Sequence, residues 1–271
     1  MKKHYTAIIS RTFGNFASKR FPRPFQKLIN HGYVKLMGLD MSEFENPSSY
    51  LTLNKLFTRA FVNPREIDTD ENIIISPVDA LVTDYGEIKD GKAYQIKGME
   101  YNIKELFGMY HQDAVKDVDG GEFVNLYLSP KDYHRYHSPD RLNIKSITHI
   151  PGKLYPVNFP LLRNKKDLFI ENERVIVECL DKKGRTFVMV LVGALNVGKM
   201  IITFEEKIQT NSKIREPRHY AYENVTLKKG ELFGWFEMGS TILLFSQKDS
   251  FTPQVAIKQK VKFAEPIGVL N

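Results

Sequence analysis

Apolar positions near the start of the chain recur at helical spacing. Tyr5, Ile8, Ile9, Phe13 and Phe16 form one run, and after Pro22 and Pro24 come Phe25, Leu28, Ile29, Leu36 and Met37. Lys and Arg lie between these bulky residues. The pattern predicts two short amphipathic helices, each with an aromatic and a basic face. In the next stretch, DMSEFENPSSYLTLNKLFTRAF, Ser48 or Ser49 is placed to cap a short helix through Leu56 and Phe57. A loop follows, then Ile73-Ile74-Ile75, and from there the pattern is mostly that of strands. FVNLYLS, VIVECLD, TFVMVLVGALNVGKMIITF and STILLFS are rich in Val, Ile, Phe and Thr. Only YNIKELFGMY reads as helical in the middle of the chain. No repeat or low-complexity tract is present. The expected fold class is α+β, with a small basic helical N-terminal region over residues 1–58 and a strand-rich domain over residues 59–271.

Composition narrows this picture. A chain of 271 residues, 42% apolar and 26% charged, can bury a substantial core and is neither collagenous, disordered nor a polytopic membrane protein. The single cysteine, Cys179, excludes an intrachain disulfide framework and a cysteine-rich metal site, and its strand-like surroundings suggest a buried structural thiol. The net charge of +7 is unevenly spread. Residues 1–39 contain no Asp or Glu but eight basic residues, namely Lys2, Lys3, Arg11, Lys19, Arg20, Arg23, Lys27 and Lys35, whereas the rest of the chain is nearly balanced.

A basic, acid-free arm with interleaved aromatics suits an anionic bilayer surface, each cation adding on the order of 1 kcal/mol. A basic helical cap packed on the core is the alternative. No segment approaches the roughly 20 apolar residues of a spanning helix. Arg11, Lys19 and Arg20 interrupt any signal-peptide core. The expectation is a peripheral protein of a reducing compartment.

Two motifs mislead. Gly193 to Met200, GALNVGKM, lacks the hydroxyl residue of a phosphate-binding loop at Met200 and leads into a strand-like MIITF. His134 and His137, with Asp132 nearby, have possible metal-ligand identities but lie between Pro130 and Pro139 rather than on a helix face, so no metal is expected. Three segments carry chemistry. Asp79 in SPVDA sits among apolar residues, so it needs a partner unless it serves its own turn. YLSPKDYHRYHSP crowds His134 and His137 among tyrosines and basic residues, as either a proton-handling site or an aromatic packing corner. Gly239-Ser240-Thr241 is either a turn into a strand or a peptide whose serine hydroxyl can attack the preceding carbonyl, left open by the missing β-carbon of glycine.

Together, NPSSYLTLNKLFTRAF, REIDTD, SPVDA, YLSPKDYHRYHSP, HIPGKLYPVN, ENERVIV, VLVGALNVG and FEMGSTILLF resemble the phosphatidylserine decarboxylase family of the bacterial or organellar short-chain type. The resemblance covers nearly the whole chain from about Asn46. Met238 stands where many relatives carry Leu or Val, and Leu56 where Phe is usual; both keep apolar volume. The resemblance implies a carboxy-lyase whose catalytic domain cleaves itself between Gly239 and Ser240 into a β chain of residues 1–239 and an α chain of residues 240–271. Ser240 would become a pyruvoyl cofactor that forms a Schiff base with phosphatidylserine, releasing CO₂ and phosphatidylethanolamine. His137 would be the base for cleavage, Asp79 the carboxylate that orients it, and His134 the histidine of decarboxylation, either holding the substrate carboxylate or returning the proton. The implied partners are phosphatidylserine, an anionic membrane at its cytoplasmic face and a second copy of the chain; nucleic acid is not among them. The rivals are a membrane-surface serine hydrolase using Asp79, His137 and Ser240, and a non-catalytic membrane binder.

Overall fold

Runs of β-branched and aromatic residues build the central sheet, and the burial of both its faces explains why they read as unbroken apolar strings. The computed structural model describes residues 5–95, 99–157, 159–195, 199–212, 214–237 and 240–271. The chain opens with α1 (Tyr5–Ser18) and α2 (Arg23–Met37), a 3-10 turn at Pro47–Ser49, and α3 (Leu53–Phe57). Then come β1 (Ile73–Ile75), β2 (Ala80–Glu87), β3 (Lys92–Gln95), β4 (Met99–Asn102), α4 (Ile103–Phe107), α5 (Gln112–Asp117), β5 (Glu122–Leu128), β6 (Arg135–His137) and β7 (Leu142–Ile150). The rest holds α6 (Phe159–Asn164), α7 (Leu168–Glu171), β8 (Arg174–Leu180), β9 (Thr186–Val192), β10 (Met200–Ile202), β11 (Arg218–Leu227), β12 (Leu232–Phe236), β13 (Ser240–Ser246), β14 (Phe251–Pro253), β15 (Lys260–Val261) and β16 (Pro266–Leu270). This is the expected strand-rich α+β class. The short helices α5, α6 and α7 are additions to the elements expected from the sequence, since four to six residues are too few to display a helical period.

The main sheet has eight antiparallel strands in the order β11-β7-β8-β9-β13-β5-β2-β15. Alternation divides each strand between two cores. Val124, Leu126, Val175, Val177, Met189, Leu191, Ile242 and Leu244 face one; Phe123, Ile176, Val188, Val190, Leu243 and Phe245 face the other. Residues of α4, α5 and α7, among them Leu106, Phe107, Ala114 and Phe169, cover the second face. The first is covered by two three-stranded sheets, β10-β12-β6 and β1-β16-β14, through Met200, Phe233, Phe236, Tyr136, Ile74 and Ile267. Cys179 is buried in β8, and burial raises its thiol pKa well above the ordinary value, as suits a structural residue. Met200 begins a strand, so the near-match to a phosphate loop leads into β10 as expected; its residues 196–198 lie outside the described residues.

The N-terminal helices form as the periodicity predicts. Pro22 and Pro24 break the chain between them, Pro24 falls within the first turn of α2, and Gly38 at φ 62° ends that helix. The helix predicted after Ser48 and Ser49 divides in two. Asn46 caps the 3-10 turn by accepting from the Ser48 N–H at 2.9 Å, and Thr52 caps α3 by accepting from the Lys55 N–H at 3.1 Å. The inward face of α2 mixes polar and apolar residues: Ile29, Tyr33 and Val34 pack against Ala17, Leu53 and Leu56. Its buried residues are Gln26 and Asn30, while Phe25, Leu28 and Leu36 are 51%, 68% and 82% exposed. Asn30 donates to the carbonyls of Pro47 and Tyr50, both at 2.9 Å, and accepts from Gln26 at 2.8 Å. These polar bonds join the apolar packing in docking the helix, and Phe25, Leu28 and Leu36 are left outward. No helix among the described residues is long and apolar enough to cross a membrane.

Gly234 in β12 shows how closely the small sheet is packed. A β-carbon there would lie 1.9 Å from the Ile201 carbonyl oxygen and 2.6 Å from the Tyr136 hydroxyl. Gly234→Ala is expected to destabilise the fold by about 2–3 kcal/mol through overpacking. The readout is the thermal unfolding midpoint, which should fall by several degrees; an unchanged midpoint would contradict this packing.

Candidate active site

The site is assembled where β5 leaves the main sheet. Leu128 ends β5 opposite Ser240, the first residue of β13, and Thr241 lies between Tyr127 and Val192. The chain then turns through Ser129–Tyr133 into β6, which pairs with β12. The turn is tied by Asp132, whose carboxylate accepts from the Ser129 N–H and O–H, both at 2.7 Å. His134 follows, and its carbonyl accepts from the N–H of Phe236, four residues before Ser240. Met238, Gly239 and the Ser240 side chain lie outside the described residues, so the expected cleavage bond is placed only by the strand that begins at Ser240.

Both histidines are held in one tautomer. His134 Nδ1 bonds the Asp132 carbonyl oxygen at 2.8 Å, and His137 Nδ1 bonds the Gly230 carbonyl oxygen at 2.9 Å. A carbonyl only accepts, so each Nδ1 carries the hydrogen and each neutral ring presents an Nε2 lone pair. His137 Nε2 accepts from the Tyr133 hydroxyl at 3.0 Å. Among the described residues, His134 Nε2 is buried with no partner. The His134 ring packs on Phe57 at 4.0 Å, and the His137 ring stacks on Phe263 at 3.8 Å. Burial, aided by the Arg59 charge, pulls the His134 pKa down to about 3. Burial, with smaller contributions from Arg135 and Arg65, pulls His137 down to about 4. At neutral pH both are uncharged bases.

Asp79 has different company. Its carboxylate takes Arg65 through both oxygens, at 2.5 and 3.1 Å, and accepts from the Phe263 N–H at 2.7 Å. It makes no hydrogen bond to His137; the two meet through Phe263, whose ring lies on the imidazole and whose N–H meets the carboxylate. Arg65 also clamps both oxygens of Glu43 at 2.8 Å and lies over Phe61. A hydrolase triad would need a carboxylate on His137 Nδ1, and that atom is taken by Gly230. Sequence reasoning singled out neither Arg59, Arg65, Tyr133, Phe263 nor Gly230. The available signal for Arg65 was one arginine in the acidic run REIDTDE. Among the described residues no group of three His, Cys, Asp or Glu side chains could hold a metal ion.

A sequence profile of the phosphatidylserine decarboxylase family matches residues 53–269. The chain belongs to this family. It is 45% identical over 262 residues to a phosphatidylserine decarboxylase proenzyme of Helicobacter pylori strain J99, covering 96% of each chain. It is 44% identical to the proenzyme of that name from Campylobacter jejuni, covering 96% of this chain and 97% of the relative. A Marinobacter nauticus proenzyme is 34% identical, with 97% and 93% covered.

The buried imidazoles make stability depend on pH. In the unfolded chain they protonate near the ordinary 6.5, but in the fold only near 4 and 3. The unfolded state therefore binds more protons in between, and stability falls as pH drops from about 6.5 towards 4. His137→Gln should flatten this fall. Urea midpoints measured against pH test it, and an equally steep fall in the variant would contradict the assignment.

Proposed function

We propose that this protein decarboxylates phosphatidylserine to phosphatidylethanolamine and CO₂, using a pyruvoyl group made from its own Ser240. The observation that carries the reading is the pair of neutral, tautomer-locked histidines at β6, which pairs with the strand preceding Ser240, in a chain of this family. In the self-cleavage, the Ser240 hydroxyl attacks the Gly239 carbonyl carbon, and the C–N bond breaks as the ester forms. His137 Nε2 takes the hydroxyl proton once Tyr133 releases that nitrogen. β-Elimination expels the residue 1–239 carboxylate, and hydrolysis of the dehydroalanine releases ammonia. A base of pKa about 4 is a weak one. That is acceptable for a step each molecule performs once. Asp79 is a positioning residue here, holding Phe263 against the imidazole.

The described residues suit the group: His134 Nε2, with no partner among them, offers a buried acceptor, and the His134 carbonyl holds the Phe236 N–H four residues before Ser240. When formed, the pyruvoyl carbonyl supplies the electron sink for loss of CO₂. His134 Nε2 carries a lone pair and no hydrogen, so it fits taking a proton from the substrate amine and returning it to carbon. It does not fit holding a carboxylate. Around this chemistry the enclosing aromatic residues Phe57, Tyr133 and Phe263 keep water away.

Residues 1–58 are assigned to the membrane surface and residues 59–271 to catalysis. The exposed Phe16, Phe25, Leu28 and Leu36, beside Lys19, Arg20, Arg23 and Lys27, support a bilayer contact at the cytoplasmic face. Association of two copies as a homodimer belongs to the same proposal.

Denaturing mass spectrometry tests the processing. The wild type should give chains of 239 and 32 residues, the smaller beginning with pyruvoyl in place of Ser240. Ser240→Ala and His137→Ala should stay intact, while His134→Ala should be cut but release CO₂ from phosphatidylserine at least a hundredfold more slowly. A cut Ser240→Ala chain would refute the mechanism. Removing residues 1–35 should weaken binding to anionic vesicles, and the difference should shrink with added salt; unchanged vesicle binding would assign the arm to packing alone.

A further inference from the structure

Arg59 follows α3 and is only 2% exposed. One nitrogen of its guanidinium, Nη2, donates to the carbonyls of Lys131 at 2.9 Å and Asp132 at 3.4 Å. The group lies over the Phe44 ring at 4.4 Å. Its Nε–H and both Nη1 hydrogens are buried and have no acceptor among the described residues. No carboxylate forms an ion pair with it, whereas Arg65 nearby holds two. Burial lowers its pKa, yet a guanidinium stays charged. A buried cation with three idle donors is costly unless something anionic completes it.

The surroundings point to the same kind of ligand. A cavity of about 370 Å³ is lined by Arg59, Tyr50, Lys55, Phe61 and Arg135, with one carboxylate, Glu45, in its wall. The Tyr50 hydroxyl is buried and finds no acceptor among the described residues. Arg135 spends its Nε–H on the Thr58 carbonyl and lies over Trp235. The cavity also adjoins the chemistry: the Asp132 carbonyl oxygen that receives Arg59 Nη2 is the one that locks His134 Nδ1. His134 has no hydrogen on Nε2 and cannot bind an anion itself.

We propose that Arg59, with the Tyr50 hydroxyl beside it, binds a negatively charged oxygen of the lipid headgroup, from either its phosphodiester or its carboxylate. This rests on the chain acting on phosphatidylserine. The planar fork of an arginine matches either oxyanion through two parallel N–H bonds.

The test uses the full chain in mixed micelles with dioctanoyl phosphatidylserine as substrate and dioctanoyl phosphatidylethanolamine as competitor. Cleavage into two chains serves as the check that each variant folds. Arg59→Gln should be cleaved, with KM raised tenfold or more, and Arg59→Lys should recover part of the loss. The competitor keeps the phosphodiester and lacks the carboxylate. If its inhibition constant rises with KM, Arg59 reads the phosphodiester; if it stays unchanged while KM rises, Arg59 reads the carboxylate. A cleaved Arg59→Gln chain with wild-type KM overturns the proposal. Should Arg59→Gln fail to be cleaved, Tyr50→Phe decides, since it removes only the hydroxyl group: KM should rise about threefold, and a wild-type KM overturns the proposal. A wild type that releases no CO₂ from phosphatidylserine would instead defeat the functional reading on which this rests.

Discussion

Two backbone carbonyls, those of Asp132 and Gly230, set the state of both imidazoles in the candidate site. Each takes the Nδ1–H of one imidazole and so decides which ring nitrogen is basic. The choice is enforced from farther out. Gly230 sits at φ 75°, and a β-carbon there would lie 2.7 Å from Ile67. An alanine would have to displace the very carbonyl that orients His137. Asp132 is held by its own carboxylate on Ser129. Burial then keeps both rings neutral. Removing the tautomer lock would change which ring nitrogens carry hydrogen without removing either imidazole.

Around this lock the molecule is layered. The eight-stranded sheet is buried on both faces, so its strands are rigidly placed, and the turn that leaves β5 inherits that placement. Arg65 extends the order outward, joining Glu43 beyond α2 to Asp79 before β2 and to the Phe263 carbonyl near the chain end. One side chain thus ties three distant stretches of sequence around the His137 ring.

Much of this was legible in the sequence. The amphipathic helices, the long apolar strands and the Asp79, His134, His137 and Ser240 segments stand out because period, composition and residue type are local properties. What was not legible depends on distance along the chain. Arg65 and Asp79 are 14 residues apart, and Phe263 meets Asp79 across 184. No spacing rule announces such pairs, so the carboxylate expected on His137 instead meets an arginine and a backbone N–H. Arg59 looks like any helix-end cation until its burial is known. Along α2 the periodicity predicted a helix but not its facing, because Gln26 and Asn30 are drawn inward by carbonyls of a turn about 20 residues later.

The position of β13 has a consequence for how such a molecule comes into being. This strand is hydrogen-bonded on both sides, to β5 and to β9, and the residues after it supply β14, β15 and β16 to two different sheets. A chain opened just before β13 would keep its last 32 residues woven through the body of the molecule. That fragment owns no core of its own, and seating it later would mean prising apart a finished sheet. The uncut chain is therefore the folding unit. Pieces made by the proposed cut would record assembly order rather than be subunits that meet, and exchange of the smaller one between molecules would require opening the sheet again.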